Sequence, residues 1–241
     1  MPVIGSDLHW YLSSSGASEG GAKSATEIPN AVDDNVFADV SDSARIAGGS
    51  QIRKIFLANE NGVDAYLDHS IWVLVVPTNA TPYIGLGFDD ADDADSAAGT
   101  LVDFSAPAKV ALSSDGADTR DVDIYGLVGS TPTKETVTLT GSSEVLCIAT
   151  FDHIFALHAS AVSASRTITI KEGAGGTTRG QITIGHVNCF RWLSPASSKS
   201  TGLQLPSLPT GQADGIWERF DWAPDAGAVT GNDFALKTEG L

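Results

Sequence analysis

At 241 residues and 42% hydrophobic content, the chain is long enough to bury one large core or two smaller ones. Its 14 basic and 30 acidic side chains leave a net charge of −16, a field that repels polyphosphate backbones and anionic lipid and so argues against direct nucleic-acid or membrane-surface binding. Charged residues make up 18% of the chain, below the usual ~25%, and the polar surface comes instead from Ser, Thr, Asn, Asp and Gly, the residues of turns and strand faces.

The start, Met1-Pro2-Val3-Ile4-Gly5-Ser6-Asp7, has no basic region followed by an apolar segment, so no secretory signal is read there. Asp7-Leu8-His9-Trp10-Tyr11-Leu12 predicts a short strand. Residues 13–30 carry few large apolar groups and read as a loop or arm that a neighbouring subunit would order. Val36–Val40 and Gln51–Leu57 read as strands on either side of a Gly48-Gly49 turn, and Asn59-Glu60-Asn61-Gly62 is a second turn.

Ile71–Val76, a continuous apolar run, predicts a strand buried on both faces; it ends at Pro77, far short of the ~20 residues of a membrane helix. Synthesis in the cytosol is therefore expected. In Pro82–Phe88 the alternation places Ile84, Leu86 and Phe88 inward. Asp89-Asp90-Ala91-Asp92-Asp93-Ala94-Asp95 is read as a solvated acidic loop, with Ca²⁺ binding as the sharper alternative. Its spacing is not that of an EF-hand.

Phe104-Ser105-Ala106-Pro107 closes this part. From about Ala108 to Trp192 follow Asp121–Gly126, Glu135–Gly141, Arg166–Ile170 and Gln181–Gly185. In the last three, Val137 and Leu139, Ile168 and Ile170, and Ile182 and Ile184 share one face while threonines take the other. Phe151–Ala159 supplies bulky core residues, Leu205–Gln212 is a turn, and Gly215–Trp222 and Asp233–Thr238 are strands. No long amphipathic helical pattern occurs anywhere, so the expected class is antiparallel all-β.

Candidate chemistry is sparse. Cys147 and Cys189 lie in apolar strand contexts and outside any CxxC; one bridge is open to them, two buried free thiols being the commoner case. His153 and His158 are five apart and on opposite faces of a strand, while His9, His69 and His186 are isolated, so each reads as a surface or hydrogen-bonded histidine. Asp68-His69-Ser70 has the residue types of a hydrolase triad, but sequence neighbours point in different directions. Gly173–Gly180 is flanked by strands and is read as a hairpin turn rather than a phosphate loop. Trp72 is expected in the core, whereas Trp10, Trp217 or Trp222, if exposed, would anchor a neighbouring subunit or a sugar. No catalytic residue, cofactor or metal ligand is assigned.

Glu135-Thr136-Val137-Thr138-Leu139-Thr140-Gly141, followed by Phe151 and Gly185, is similar to small β modules of tailed-bacteriophage virion proteins. Ile71-Trp72-Val73 with Ile84-Gly85-Leu86, Phe104-Ser105-Ala106-Pro107, Leu205–Gln212 and Ile216-Trp217-Glu218-Arg219 also resembles a phage virion module. In that pattern the last blocks follow the Phe-Ser-Ala-Pro segment closely, whereas here residues 108–194 intervene. The resemblance implies two β-sandwich domains, Ig-like or jelly-roll-like: a discontinuous host of 1–107 plus 195–241 with an N-terminal arm, and an inserted module, 108–194. It implies a non-enzymatic structural subunit of the virion, made in the host cytoplasm, in the neck, tail or baseplate or decorating the capsid. Its partners would be itself, as a homo-oligomeric ring or trimer, and other virion proteins, with no nucleic acid or membrane. The alternative is a carbohydrate- or receptor-binding β module.

Overall fold

A computed structural model describes residues 2–14, 20–30, 36–75, 83–89, 100–194, 197–225 and 235–241. In chain order the strands are β1 (Leu8–Ser13), β2 (Lys23–Glu27), β3 (Gly49–Asn59), β4 (His69–Val75), β5 (Tyr83–Asp89), β6 (Val110–Ser114), β7 (Asp121–Val128) and β8 (Thr131–Thr138). They continue with β9 (Val145–Leu146), β10 (His153–Ala159), β11 (Ile168–Glu172), β12 (Thr177–Ile182), β13 (Asn188–Phe190), β14 (Leu203–Leu205), β15 (Ala213–Trp222) and β16 (Ala235–Gly240). A short 3-10 turn, Gly5–Asp7, leads into β1, and a short α-helix, α1 (Asp42–Ala47), precedes β3. The fold is all-β, and the strand pairings are antiparallel.

Four sheets result, in the orders β2-β1-β3-β15-β5, β14-β4-β16, β13-β10-β7-β8 and β12-β11-β6-β9. The first two draw their strands from residues 8–89 and 203–240, the last two from 110–190. In the largest sheet β15 lies between β3 and β5, running in register with β3 from Ala213↔Ala58 to Trp222↔Gly49 and with β5 from Gly215↔Asp89 to Asp221↔Tyr83.

The alternation read from the sequence sorts side chains into two cores. Val122, Ile124, Val137, Leu139, Ile168, Ile170 and Ile182 fill the first. Ile55, Leu57, Ile84, Leu86, Phe88 and Ile216 meet Ile71, Val73, Leu203 and Leu205 in the second. Leu101 and Phe104, which precede the expected boundary at 107, pack into the first core. Glu172 secures the same segment by accepting from the Ser105 hydroxyl at 2.8 Å and from the Ser105 amide at 3.1 Å.

Away from its edge strand β8, the β13-β10-β7-β8 sheet is apolar on both faces. Ile124, Leu157 and Cys189 point into the first core, and Tyr125, Ala156 and Phe190 into the second. A register shift between Ile154 and Ala156 resets the alternation of β10, which is how Ile154 and Leu157, three apart, both enter the first core. The chain then crosses between the two halves: Phe190 belongs to β13, and three residues later Leu193 exchanges both backbone hydrogen bonds with Leu86 of β5, at 2.7 and 2.9 Å. Phe190 lies over Gly87, stacked on Trp217 at 6.0 Å.

Several local expectations change. Lys23–Glu27, expected in a loop or arm, is the strand β2, held by its pairing with β1 and by the Glu27 contact with His9 at 2.7 Å. Val36–Val40 is not a strand. The chain enters α1 just after it, where the Ser41 hydroxyl accepts from the Ala44 amide at 3.3 Å, and the helix ends at Gly48 with φ +73°. β4 is not buried throughout, because Leu74 is exposed. β12 ends at Ile182, so Ile184 does not share its core face: it lies in the turn before Gly185, φ +86°, and is exposed.

Gly87 has a packing reason to lack a side chain, since a Cβ there would fall 2.3 Å from the Phe190 ring. Gly87→Ala is expected to lower stability by about 1–3 kcal/mol through overpacking. Urea unfolding measures the loss, and Gly129→Ala, strained by its φ of +63° but with no atom within 4 Å, reports the contribution of backbone strain alone.

Candidate functional site

The residues singled out by the sequence do not assemble into a catalytic centre. Asp68, His69 and Ser70 diverge as neighbours on an extended chain must. Asp68 accepts from the Ser207 hydroxyl at 2.9 Å, and the Ser70 hydroxyl donates to the Lys199 carbonyl at 2.7 Å. His69 is fully buried, 3.3 Å from the Asp214 carboxylate and against the Tyr66 ring, so it joins β4 to β15.

His9 and His153 each meet a carboxylate: Glu27 raises the His9 pKa, and His153 lies 2.8 Å from Asp103. His153 and His158 sit on the same strand, but the β10 bulge between them breaks the simple alternation expected of residues five apart. Asp103 also accepts from the Ile154 amide and pairs with Arg191.

Cys147 and Cys189 are free, buried thiols, both pushed up by burial. Gly173–Gly180 spans the β11–β12 hairpin, with Gly173 and Gly175 at positive φ. Trp72 and Trp217 are buried, and Trp10, Trp192 and Trp222 are half-buried; Trp222 donates its Nε1–H to the Ala44 carbonyl at 3.0 Å. None is the open aromatic platform expected of a subunit or sugar anchor. Among the described residues no group of three or more His, Cys, Asp or Glu could hold a metal ion. Of the acidic loop, Asp90–Asp95 lie outside the described residues, and Asp89 points inward.

Asp89 belongs to a buried polar centre that the sequence did not announce. Lys54 of β3 and Asp89 of β5 project from the same face of the five-stranded sheet, on either side of β15. The Lys54 Nζ donates to Asp89 Oδ2 at 3.0 Å, and both side chains are 0% exposed. The same oxygen accepts from Asn188 Nδ2 of β13 at 3.1 Å and from Trp217 Nε1 at 3.3 Å. Phe56 and Trp217 wall the ammonium, their ring centres 5.3 and 5.4 Å from Nζ. Nothing in Gln51-Ile52-Arg53-Lys54-Ile55 separates this lysine from a solvated one, because its partners are brought in by β5, β13 and β15.

On the opposite face, Glu218 is 1% exposed, and burial pushes its carboxyl up to about 8. Among the described residues the exposed large apolar side chains are aliphatic. Val63 and Leu67 are 77% and 72% exposed, and Leu67 with Pro2, Val3, Asp64, Ala65, Tyr66 and Gly240 lines a shallow depression.

Comparison with known proteins yields no match to a protein family, to a curated protein or to a solved structure.

The Glu218 carboxyl is expected to give the fold a pH dependence. Its folded value lies above the ordinary 4.5, so between 4.5 and about 8 the native state holds a proton that the unfolded chain releases, and stability falls as pH rises through that window. Glu218→Gln is expected to flatten this slope. Its gain should be absent below the ordinary carboxylate value and reach a few kcal/mol above about pH 8, as read from thermal unfolding across the pH range.

Proposed function

We propose that this chain is a non-enzymatic structural subunit of a tailed-phage particle that works by assembling with copies of itself and with other virion proteins. The reading treats residues 108–194 as a module inserted in a discontinuous host, an organisation supported by the way the four sheets divide the chain. The observation that carries it is the aliphatic rim around Val63 and Leu67. Large apolar groups exposed together mark interaction surfaces on otherwise soluble folds.

The rim lies beside the chain ends, with Ile4 57% and Leu241 50% exposed. Its backbone is held fast: the Asn61 carbonyl side-chain oxygen accepts from the Val63 and Asp64 amides at 2.9 and 2.8 Å, and Leu241 N donates to the Asp68 carbonyl at 2.7 Å. A rigid apolar surface loses little conformational entropy on docking, which favours association. The acidic charge of the rest of the molecule opposes non-specific clustering, so contact is confined to such surfaces.

Sedimentation velocity over a range of concentrations tests the reading. The chain is expected to pass from monomer to a closed oligomer, and the double variant Val63→Asp, Leu67→Asp to remain monomeric with unchanged folded-state circular dichroism. A wild-type chain that stays monomeric throughout, and is missing from purified particles, would overturn it.

A further inference from the structure

The buried Lys54–Asp89–Asn188 centre has the composition of a self-processing site. We propose that Lys54 and Asn188 join through an amide bond, with Asp89 as the proton carrier, so that β3 and β13 become covalently cross-linked. This rests on the buried centre alone and is independent of any assembly role.

Two observations support it. The amine and the side-chain amide nitrogen both lie on one carboxylate oxygen, at 3.0 and 3.1 Å, so a single group can take a proton from one and deliver it to the other. All three side chains belong to residues about 1% exposed, within reach of Phe56, Trp217 and Phe190, and water that would compete for the carbonyl carbon is kept out.

The step balances without an external reagent. The Lys54 ammonium passes one proton to the Asp89 carboxylate, leaving a neutral amine and a neutral acid. The Nζ lone pair attacks Cγ of Asn188, forming the Nζ–Cγ bond. The Cγ–Nδ2 bond then breaks as Asp89 gives its proton to the departing nitrogen and receives one from Nζ. Ammonia leaves, and an amide and a protonated Asp89 remain, so a buried ion pair has become a set of neutral groups. Trp217 Nε1, which already donates to Asp89 Oδ2, keeps the acid oriented throughout.

Intact-mass spectrometry of the full chain under denaturing conditions tests this directly. The expected mass is one ammonia below that of the sequence. After trypsin, peptide 54–109 is expected to stay joined to peptide 180–191, because cleavage after Lys54 is blocked and the new bond bridges the two. Lys54→Met and Asp89→Ala are each expected to show the full mass.

A full mass for the wild-type chain overturns the proposal, whether or not either variant folds. So does the loss of ammonia without the joined peptides. Loss of one water, with the link closed inside peptide 54–109, would also overturn it, because Asp89 would then be the acceptor rather than the carrier.

Discussion

The structure depends on one sheet being apolar on both faces. A half-buried strand alternates apolar and polar residues, as β8, β11 and β14 do. β7, β10 and β13 do not: successive residues such as Ile124 and Tyr125, or Cys189 and Phe190, enter different cores. The β13-β10-β7-β8 sheet therefore cannot be solvated on either side of its middle, and the strands of 8–89 and 203–240 must stay packed against it. Phe88 and Tyr125, edge to face at 4.8 Å, and Phe190 over Gly87 are the points of closest fit. The backbone crossing at Leu193 fixes the register of that fit.

The polar centre around Asp89 lies at the same junction, which explains its depth. Packing the halves together removes water from a lysine, an aspartate and an asparagine that come from three strands. A buried charge is tolerated only where partners replace its hydration, and here each group finds one. Arg191 shows the same pressure nearby: burial lowers its guanidinium to about 10, and it pairs with Asp103. Polar groups at this boundary also exclude alternative packings that an all-aliphatic junction would permit.

Much of the fold was legible in the sequence because period-two patterns report burial directly. Val137 with Leu139, and Ile84 with Leu86 and Phe88, face inward as their alternation requires. The misreadings have local causes. Val36–Val40 has strand composition but pairs with no strand among the described residues, and the Ser41 cap starts a helix instead. Ile184 continues the alternation of β12 past the point where Gly185 turns the chain. The buried centre was illegible for a different reason: Lys54 and Asn188 are ordinary polar residues in sequence, and only pairing between strands far apart along the chain buries them.

The position of β15 bears on how the polypeptide is made. It is synthesised after all the strands of 110–190, yet it lies between β3 and β5 and supplies β5 with its partner over seven residue pairs. Strands 110–190 can close their own sheets while the ribosome is still adding residues, whereas β3 and β5 keep open edges until Trp222 has emerged. Unpaired edges are the features that invite wrong association during biosynthesis. The interval between the synthesis of β5 and that of β15 is thus the one in which a nascent chain most needs a chaperone.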